Sequence, residues 1–273
     1  MILARNLSLR YATPEGTVAV LSDLSCEIAE GEFVALMGAN GSGKTSFARC
    51  LNGIIQPSSG EVFVDGMNTR APEGLLEIRR RVGMVFQHPD HQMVAPTVER
   101  EIAFGLENLG VARAEMHARV EEMLARFALQ PYREHAPHQL SGGEKQRVAL
   151  ASILVMSPRH LIFDEPTSLL DHPSRVRLFE IIAQLRAHSH PAPPSILFIT
   201  QFAEEALFAE RLLVLDHGRL VLNGAPQELF MESDTFRRMG LRAPVEFELY
   251  HKLRAQGRTA LTLDELRLNP ILA

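Results

Sequence analysis

The residues best suited to chemistry form a glycine-rich stretch that follows a short apolar run. Residues 33–37 are entirely apolar, which is typical of a strand buried on both faces. Residues 38–45, directly after it, have the sequence GANGSGKT. Glycines at this spacing let backbone N–H groups point at an anion, and a helix starting near Gly43 adds its positive end. The pattern predicts a loop that binds the phosphates of a nucleoside triphosphate.

Within this loop, two side chains have predicted tasks of their own. Lys44 would reach the β- and γ-phosphates, and the hydroxyl of Thr45 would ligate Mg²⁺. The full set of residues expected to hold the nucleotide in this segment is Gly38, Asn40, Gly41, Ser42, Gly43, Lys44, Thr45 and Ser46.

Two neighbouring carboxylates follow a second apolar run. Residues 161–163 predict a buried strand, which ends in Asp164 and Glu165. In a chain that already has a phosphate loop, acids at the carboxyl end of a strand suggest Asp164 near Mg²⁺ and Glu165 near an attacking water. The alternative is that the two acids only cap the turn that follows them.

Two further features could contact a nucleotide, namely the start of a later helix and Tyr11. Ser141, Gly142 and Gly143 precede a predicted helix, and such a helix start can hold phosphate. Gln87 ends a predicted strand at 81–87. Tyr11 lies at the tip of the first predicted strand, where a tyrosine is either part of the core or a flat platform for a purine base. The sequence leaves these two roles of Tyr11 open.

Hydrophobic periodicity predicts the elements around these residues. Two alternating runs within residues 2–30 predict antiparallel strands, and apolar residues at spacings of three and four predict helix between 98 and 128. The other predictions are a strand at 60–66, a helix at 174–185, a surface loop at 188–194, a strand at 196–200, a hairpin at 212–222, an amphipathic segment at 245–253 and a last helix opened by a capping box at 262–265.

Composition narrows the class of protein. The chain has 273 residues, 46% of them hydrophobic and 22% charged, which is ordinary for a globular protein. A net charge of -5 argues against nucleic acid as a partner. Cys26 and Cys50 have no metal-type spacing and are predicted to be structural. With no apolar run of about 18 to 20 residues and no secretory design at the start, we expect an intracellular chain that reaches a membrane only through a partner.

Four motifs occur in a characteristic order: GANGSGKT, Gln87, LSGGEKQR at 140–147 and LIFDEP at 161–166. With them the chain resembles the ATP-binding-cassette (ABC) ATPases over about residues 1–230. The resemblance implies an α/β fold with a phosphate-loop NTPase (RecA-like) core, an antiparallel β subdomain, an inserted helical subdomain at about 88–150 and a small C-terminal helical extension. The implied boundaries are 1–232 for the ATPase domain and 233–273 for the extension.

The resemblance also implies roles for single residues. Tyr11 is similar to the aromatic residue that stacks on adenine, and Gln87 to the glutamine that senses Mg²⁺ and the membrane partner. Asp164 resembles the magnesium carboxylate and Glu165 the catalytic base. Residues 168–171, ending in Asp171, resemble the loop that crosses the dimer interface.

In this family the signature, here Ser141 to Glu144, closes over the nucleotide of the opposite subunit. Two ATPase chains would therefore sandwich two ATP molecules, and the second chain could be the same or a related one. Glu144 replaces the usual glutamine, a surface-facing change expected to have little effect. Gln201 occupies the place of the switch histidine. Because an amide can donate to a γ-phosphate oxygen but carries no proton to transfer, we expect weaker hydrolysis at this site.

Two longer motifs indicate a subgroup. FQHPDHQ at 86–92 and PTVEREIAFG at 96–105 resemble the ATPase subunits of energy-coupling-factor (ECF) importers, including the cobalt and nickel type, which take up vitamins or transition metal ions. The implied partners are a membrane-embedded coupling subunit and a substrate-binding membrane subunit. The chain would then lie peripherally on the cytoplasmic face of the cell membrane, with a helix of the coupling subunit in a groove of its helical insertion.

Two other classes of function remain open at this point. One is a soluble ABC ATPase that acts on ribosomes or DNA, which would usually need two cassettes or long coiled insertions. The other is a regulatory subunit that binds ATP without cleaving it. Gln201 makes this second class conceivable, whereas Glu165 argues against it.

Overall fold

The computed structural model describes residues 1–14, 16–188 and 192–256, which form two compact units. The first unit contains residues 1–74 and the chain from 195 onward, and the second contains residues 75–194. Part of the loop predicted at 188–194 and the capping box predicted at 262–265 lie outside the described residues. Those two features stay predictions.

Strands and helices are interspersed along the chain. The first unit begins with β1 (Ile2–Thr13), β2 (Gly16–Ile28), β3 (Phe33–Gly38), α1 (Lys44–Leu51), β4 (Ser59–Val64) and β5 (Met67–Asn68). The second unit holds α2 (Leu75–Arg81), β6 (Val82–Val85), α3 (Val98–Asn108), α4 (Arg113–Arg126), α5 (Gly142–Leu154), β7 (His160–Asp164) and α6 (His172–His188). The first unit then resumes with β8 (Ser195–Ile199), α7 (Ala203–Ala206), β9 (Arg211–Asp216), β10 (Arg219–Gly224), α8 (Pro226–Phe230), α9 (Ser233–Arg238) and α10 (Val245–Ala255).

An antiparallel sheet forms one part of the first unit. Its strand order is β2-β1-β4-β5, and the prediction of antiparallel strands within residues 2–30 is confirmed. Buried and more exposed residues alternate along β1, as expected for a strand with one face on the core. The buried residues are Ile2, Ala4, Leu7 and Leu9.

A parallel arrangement surrounds the strand before the phosphate loop. β3 pairs in parallel with both β8 and β9, and β10 returns antiparallel to β9 as the predicted hairpin. Every residue of β3 and β8 is buried, as expected for strands that are covered on both faces. The strand register fixes which residues lie at the carboxyl ends of β3 and β8. Leu36 pairs with Ile199, and Gly38 and Gln201 each lie two residues beyond this pair.

In the second unit, β6 and β7 are parallel and α3 packs against α4 and α5. The helical pattern predicted between 98 and 128 forms two helices, α3 and α4, which are separated at Gly110, where the backbone adopts a left-handed φ of 69°. The strand predicted at 81–87 is shorter than expected, since Arg81 ends α2 and the chain leaves β6 after Val85.

Three phenylalanines organise the helices after β10. Phe230, Phe236 and Phe247 are fully buried, and the ring of Phe230 lies 5.0 Å from that of Phe236 and 5.7 Å from that of Phe247. The amphipathic segment predicted at 245–253 is the helix α10. Its packing rests mainly on Phe247, because Val245 is 68% exposed.

An ion pair fastens β9 to the turn between β2 and β3. The guanidinium of Arg211 donates to both carboxylate oxygens of Glu32, at 2.6 and 2.9 Å, and the N–H of Ala29 donates to the same carboxylate. Burial alone would raise the pKa of Glu32, but the hydrogen bonds from Arg211 and Ala29 and the charge of Arg211 outweigh burial and hold it below its usual value. The carboxylate form is therefore favoured in the folded state.

We expect Glu32→Gln to lower the free energy of unfolding by about 1–2 kcal/mol at pH 7, because an amide replaces a charged acceptor. A lowered pKa contributes stability above the unfolded value of about 4.3, and this contribution is lost as the pH falls through the folded pKa. Urea unfolding between pH 7 and pH 3.5 should show the difference between wild type and variant shrinking below about pH 4.3. Exposed Glu73→Gln is the control, and a difference that stays constant with pH would contradict the assignment.

Candidate functional site

The phosphate loop joins β3 to α1 in the first unit. A Cβ at Gly38 would collide with the carbonyl of Leu215, and Gly43 adopts a φ of 104° at a place where a Cβ would collide with the side chain of Leu21. Only glycine fits both positions. Asn40 and Gly41 lie exposed at the tip of the loop, and Gly43 is the N-cap of α1. The loop therefore has a tight backbone and a helix start without a side-chain cap, as phosphate binding needs.

Two polar side chains of the loop point to an anionic ligand. The ammonium of Lys44 donates to the carbonyls of Gly38 at 2.8 Å and Ala39 at 3.1 Å, and the side chain is buried. Within the described part of the chain, the hydroxyl of Ser42 is buried without a hydrogen-bond partner. Since buried hydroxyls are rarely left unpaired, this orphan group fits a loop whose ligand supplies the missing partner.

Tyr11 lies beside the phosphate loop in the same unit. Its cross-strand neighbour is Val18, the residue is 38% exposed, and its hydroxyl lies 3.3 Å from the hydroxyl of Ser46 in the first turn of α1. Of the two roles left open by the sequence, the exposed ring disfavours a core position and agrees with a stacking platform.

Gln201 follows β8 and is exposed. Two hydrogen bonds of the Thr200 hydroxyl stabilise the turn that carries Gln201. The hydroxyl donates to the buried carboxylate of Glu205 and accepts the N–H of Phe202. The backbone at Gln201 is thereby fixed at the strand edge that also carries the phosphate loop. Sequence analysis did not identify Thr200 and Glu205, because neither residue belongs to a motif that marks this local hydrogen bond.

A second group of predicted residues lies at one strand edge of the second unit. Val85 pairs with Phe163, which places Gln87 and Glu165 two residues beyond the same paired position. The amide Nε2 of Gln87 donates to Oε2 of Glu165 at 3.0 Å. Asp164 is buried at the end of β7, whereas Glu165 is partly exposed. The structure thus brings the glutamine and the predicted base together.

The backbone at Glu165 is unusual. Its φ is 50°, in the left-handed region that costs a non-glycine residue energy. The carbonyl of Glu165 accepts the N–H and the hydroxyl of Ser168, at 3.3 and 3.0 Å, so the following turn holds this conformation. A strained residue held by its surroundings is typical of a functional side chain, which disfavours a simple turn-capping role for this carboxylate.

The donors predicted for Mg²⁺ suit that ion chemically. They are the hydroxyl of Thr45 in the first unit and, in the second, the amide of Gln87 and the carboxylate of Asp164. All three offer oxygen, the ligand atom that Mg²⁺ prefers.

The signature segment begins α5 in the second unit. Ser141 is the N-cap, and Glu144 completes a capping box with it. The N–H and the hydroxyl of Ser141 both donate to Oε2 of Glu144, at 2.7 and 2.8 Å. The expectation that Glu144 has little effect overlooked this contact. Asp171 also caps a helix: its carboxylate accepts the N–H of Ser174 in the first turn of α6 at 3.1 Å, and Ser174 holds the pKa of Asp171 below its usual value.

Comparison with known proteins decides the family. The family described as ABC transporter matches residues 21–168, more than half of the chain. The chain belongs to the ABC transporter family. An energy-coupling factor transporter ATP-binding protein, EcfA1 of Symbiobacterium thermophilum, is 43% identical over 97% of this chain and 94% of its own. A cobalt import ATP-binding protein, CbiO of Syntrophus aciditrophicus, is 43% identical over 96% and 91% of the two chains.

A solved ABC cassette confirms the predicted fold. CbiO1 of Clostridium perfringens, part of the ABC transporter complex CbiONQ, superposes with a TM-score of 0.71 at 32% identity, covering 92% of this chain and 98% of its own. The chain therefore has the α/β phosphate-loop NTPase fold. Within the described residues of this ABC protein, no helix is long and apolar enough to cross a membrane.

Two residues of this ABC cassette were missed by sequence analysis although they lie in its motifs. The amide of Gln92 accepts the N–H of Phe86 and donates to the carbonyl of Ala149 in α5. Buried Glu101 accepts the N–H groups of Val94 and Ala95 at 2.8 and 2.7 Å. Together they fix the segment after Gln87 to α3 and α5. A buried glutamate in an otherwise apolar helical face was the available signal.

Proposed function

We propose that the chain is the ATP-hydrolysing subunit of an ECF-type ABC importer. It would couple ATP binding and hydrolysis, in a sandwich of two ATPase chains, to uptake of a vitamin or a transition metal ion. The observation that carries the proposal is the match to EcfA1, which extends over nearly the whole of both chains. The hydrogen-bonded Gln87 and Glu165 support an active site rather than a silent one.

Each predicted site residue has a role in this proposal. Lys44 and the loop around it bind the phosphates, and the ring of Tyr11 stacks on adenine. Thr45, Gln87 and Asp164 hold Mg²⁺, which neutralises charge on the phosphates when bound. Glu165 takes the proton of the attacking water, and the amide of Gln201 donates to the γ-phosphate.

The ATP sandwich needs a second ATPase chain, either a copy of this one or a related chain. The exposed start of α5, at Ser141 and Gly142, supports this role because a helix start with glycines can approach a phosphate closely. Gly143 and the loop that ends in Asp171 would lie at the same interface. One chain alone should hydrolyse ATP poorly.

The membrane partners are a coupling subunit and a substrate-binding subunit, which would hold the chain on the cytoplasmic face of the membrane. Exposed apolar side chains in the second unit support docking of a helix: Val94 is 67% exposed and Phe104 is 45% exposed. Acidic side chains nearby are already paired within the unit, Asp90 with Lys145 and Glu99 with Arg133. We therefore propose a mainly apolar contact.

The proposal is tested by purifying the tagged chain from its own cells in mild detergent and identifying every protein that accompanies it. We expect a polytopic membrane protein, a small substrate-binding membrane protein and a second ATPase chain. An untagged strain is the control for adventitious binding. Recovery of ribosomal proteins, or of no membrane protein, would contradict the transport function and leave the ATPase assignment standing.

Gln201→His should raise ATP turnover in the assembled complex by about tenfold, because an imidazole can both donate to the γ-phosphate and carry a proton. The readout is phosphate release at saturating ATP, with nucleotide affinity measured in parallel. Since the hydrogen bonds of the Thr200 hydroxyl hold the turn without using the side chain of residue 201, the variant should fold normally. Unchanged turnover would show that the glutamine does not limit hydrolysis.

A further inference from the structure

The start of α5 already carries a negative charge of its own. Oε2 of Glu144 accepts the N–H of Ser141 at 2.7 Å and the hydroxyl of Ser141 at 2.8 Å, while the N–H of Glu144 lies 3.4 Å from the same hydroxyl. The hydroxyl proton of Ser141 is thus directed to a carboxylate of the same chain. The signature serine is therefore engaged before any nucleotide arrives.

The carboxylate is stabilised in its charged form. A hydrogen bond from Tyr132 contributes most, followed by the N–H and hydroxyl of Ser141, and together they hold the pKa of Glu144 below its usual value. The positive end of α5 adds to this stabilisation. Glu144 is consequently an anion at neutral pH, placed at the kind of helix start that binds phosphate.

We propose that Glu144 is an internal anion that occupies the start of α5 and competes with the γ-phosphate of the ATP bound to the opposite ATPase chain. Closing of the sandwich then requires Ser141 to exchange the carboxylate for the phosphate, and the two anions repel each other at short range. This inference rests on the proposed function. It makes Glu144 a residue that sets how much ATP is needed to close the pair.

If Glu144 only capped α5, Glu144→Gln would leave ATP-driven pairing unchanged. A glutamine at the same position completes a capping box as well as glutamate does, because its amide oxygen can accept the N–H of Ser141. Glu144→Gln therefore keeps the cap and removes only the charge. Any effect of this substitution on ATP-driven pairing reports the charge and not the stability of α5.

The experiment compares two forms of the intact transport complex. Both carry Glu165→Gln so that ATP is bound but not cleaved, and one of them also carries Glu144→Gln. Fluorescent labels on the two ATPase chains report closing as Mg²⁺-ATP is added. We expect Glu144→Gln to lower the ATP concentration for half-maximal closing by about fivefold, the effect of removing one like charge about 4 Å away in water. Glu180→Gln, an exposed carboxylate on α6, should change nothing.

The salt dependence of closing separates an electrostatic role of Glu144 from a purely structural one. The screening length falls from about 10 Å at 0.1 M salt to about 3 Å at 1 M, so the fivefold difference should largely disappear at high salt. An unchanged or higher ATP requirement in Glu144→Gln would overturn the proposal. If neither protein closes while both bind nucleotide, the sandwich itself is contradicted, and the proposed function fails together with this inference.

Discussion

Replacing Glu165 by glutamine is expected to stop ATP hydrolysis while leaving ATP bound. The glutamine has the same size and can accept the hydrogen bond from Gln87, which now runs to Oε2 at 3.0 Å. What it loses is the ability to take a proton from water. Removal of a general base typically lowers the rate by about 10²- to 10⁴-fold, so turnover should fall by at least 100-fold.

Two measurements on the assembled complex check this expectation. Phosphate release reports turnover, and retention of radiolabelled ATP after gel filtration reports trapping. Glu180→Gln is the matched control, since it removes an exposed carboxylate from α6 in the same unit. If the variant and wild type release phosphate at the same low rate, the site is silent and the chain is a regulatory subunit.

Lys44→Ala should strongly weaken nucleotide binding at this chain's own loop. In the structure the ammonium of Lys44 is buried against the carbonyls of Gly38 and Ala39, so it is already held in the loop where phosphates would bind. Charged hydrogen bonds contribute about 1.5–3 kcal/mol each. Loss of two such bonds from Lys44 to the phosphates should weaken nucleotide binding by about 100-fold or more.

Titration with a fluorescent ATP analogue measures the loss of affinity. Lys252→Ala is the control, because Lys252 is exposed on α10 and has no place in the proposed site. Circular dichroism shows whether the variants keep their helices. Undiminished affinity in a folded Lys44→Ala protein would mean that the loop does not bind the phosphates.

The parts of the fold that sequence predicts well are those set by local chemistry. The apolar run of β3 and the glycines after it specify a buried strand and a tight loop without help from the rest of the chain. Alternation specified β1 and β2 in the same way. The same pattern placed Gln87 and Glu165 at the ends of two predicted strands, although β6 ends at Val85, two residues before Gln87. Parallel pairing of β6 and β7 then brought these two side chains together.

The parts that sequence could not predict depend on contacts between distant residues. Nothing in a single sequence shows that Gln92 reaches the carbonyl of Ala149, 57 residues further along the chain. Glu144 is a different case. Its spacing from Ser141 is that of a capping box, so this contact can be predicted from the sequence alone.

The central claim, an ATPase that works as a pair held by membrane partners, is tested most directly by dilution. Phosphate release per chain is measured for the isolated chain and for the detergent-purified complex from micromolar to nanomolar concentration. Because partners in one complex have millimolar effective concentrations, turnover of the complex should not change on dilution, whereas that of the isolated chain should fall. Equal turnover of the two samples at every dilution would contradict the claim.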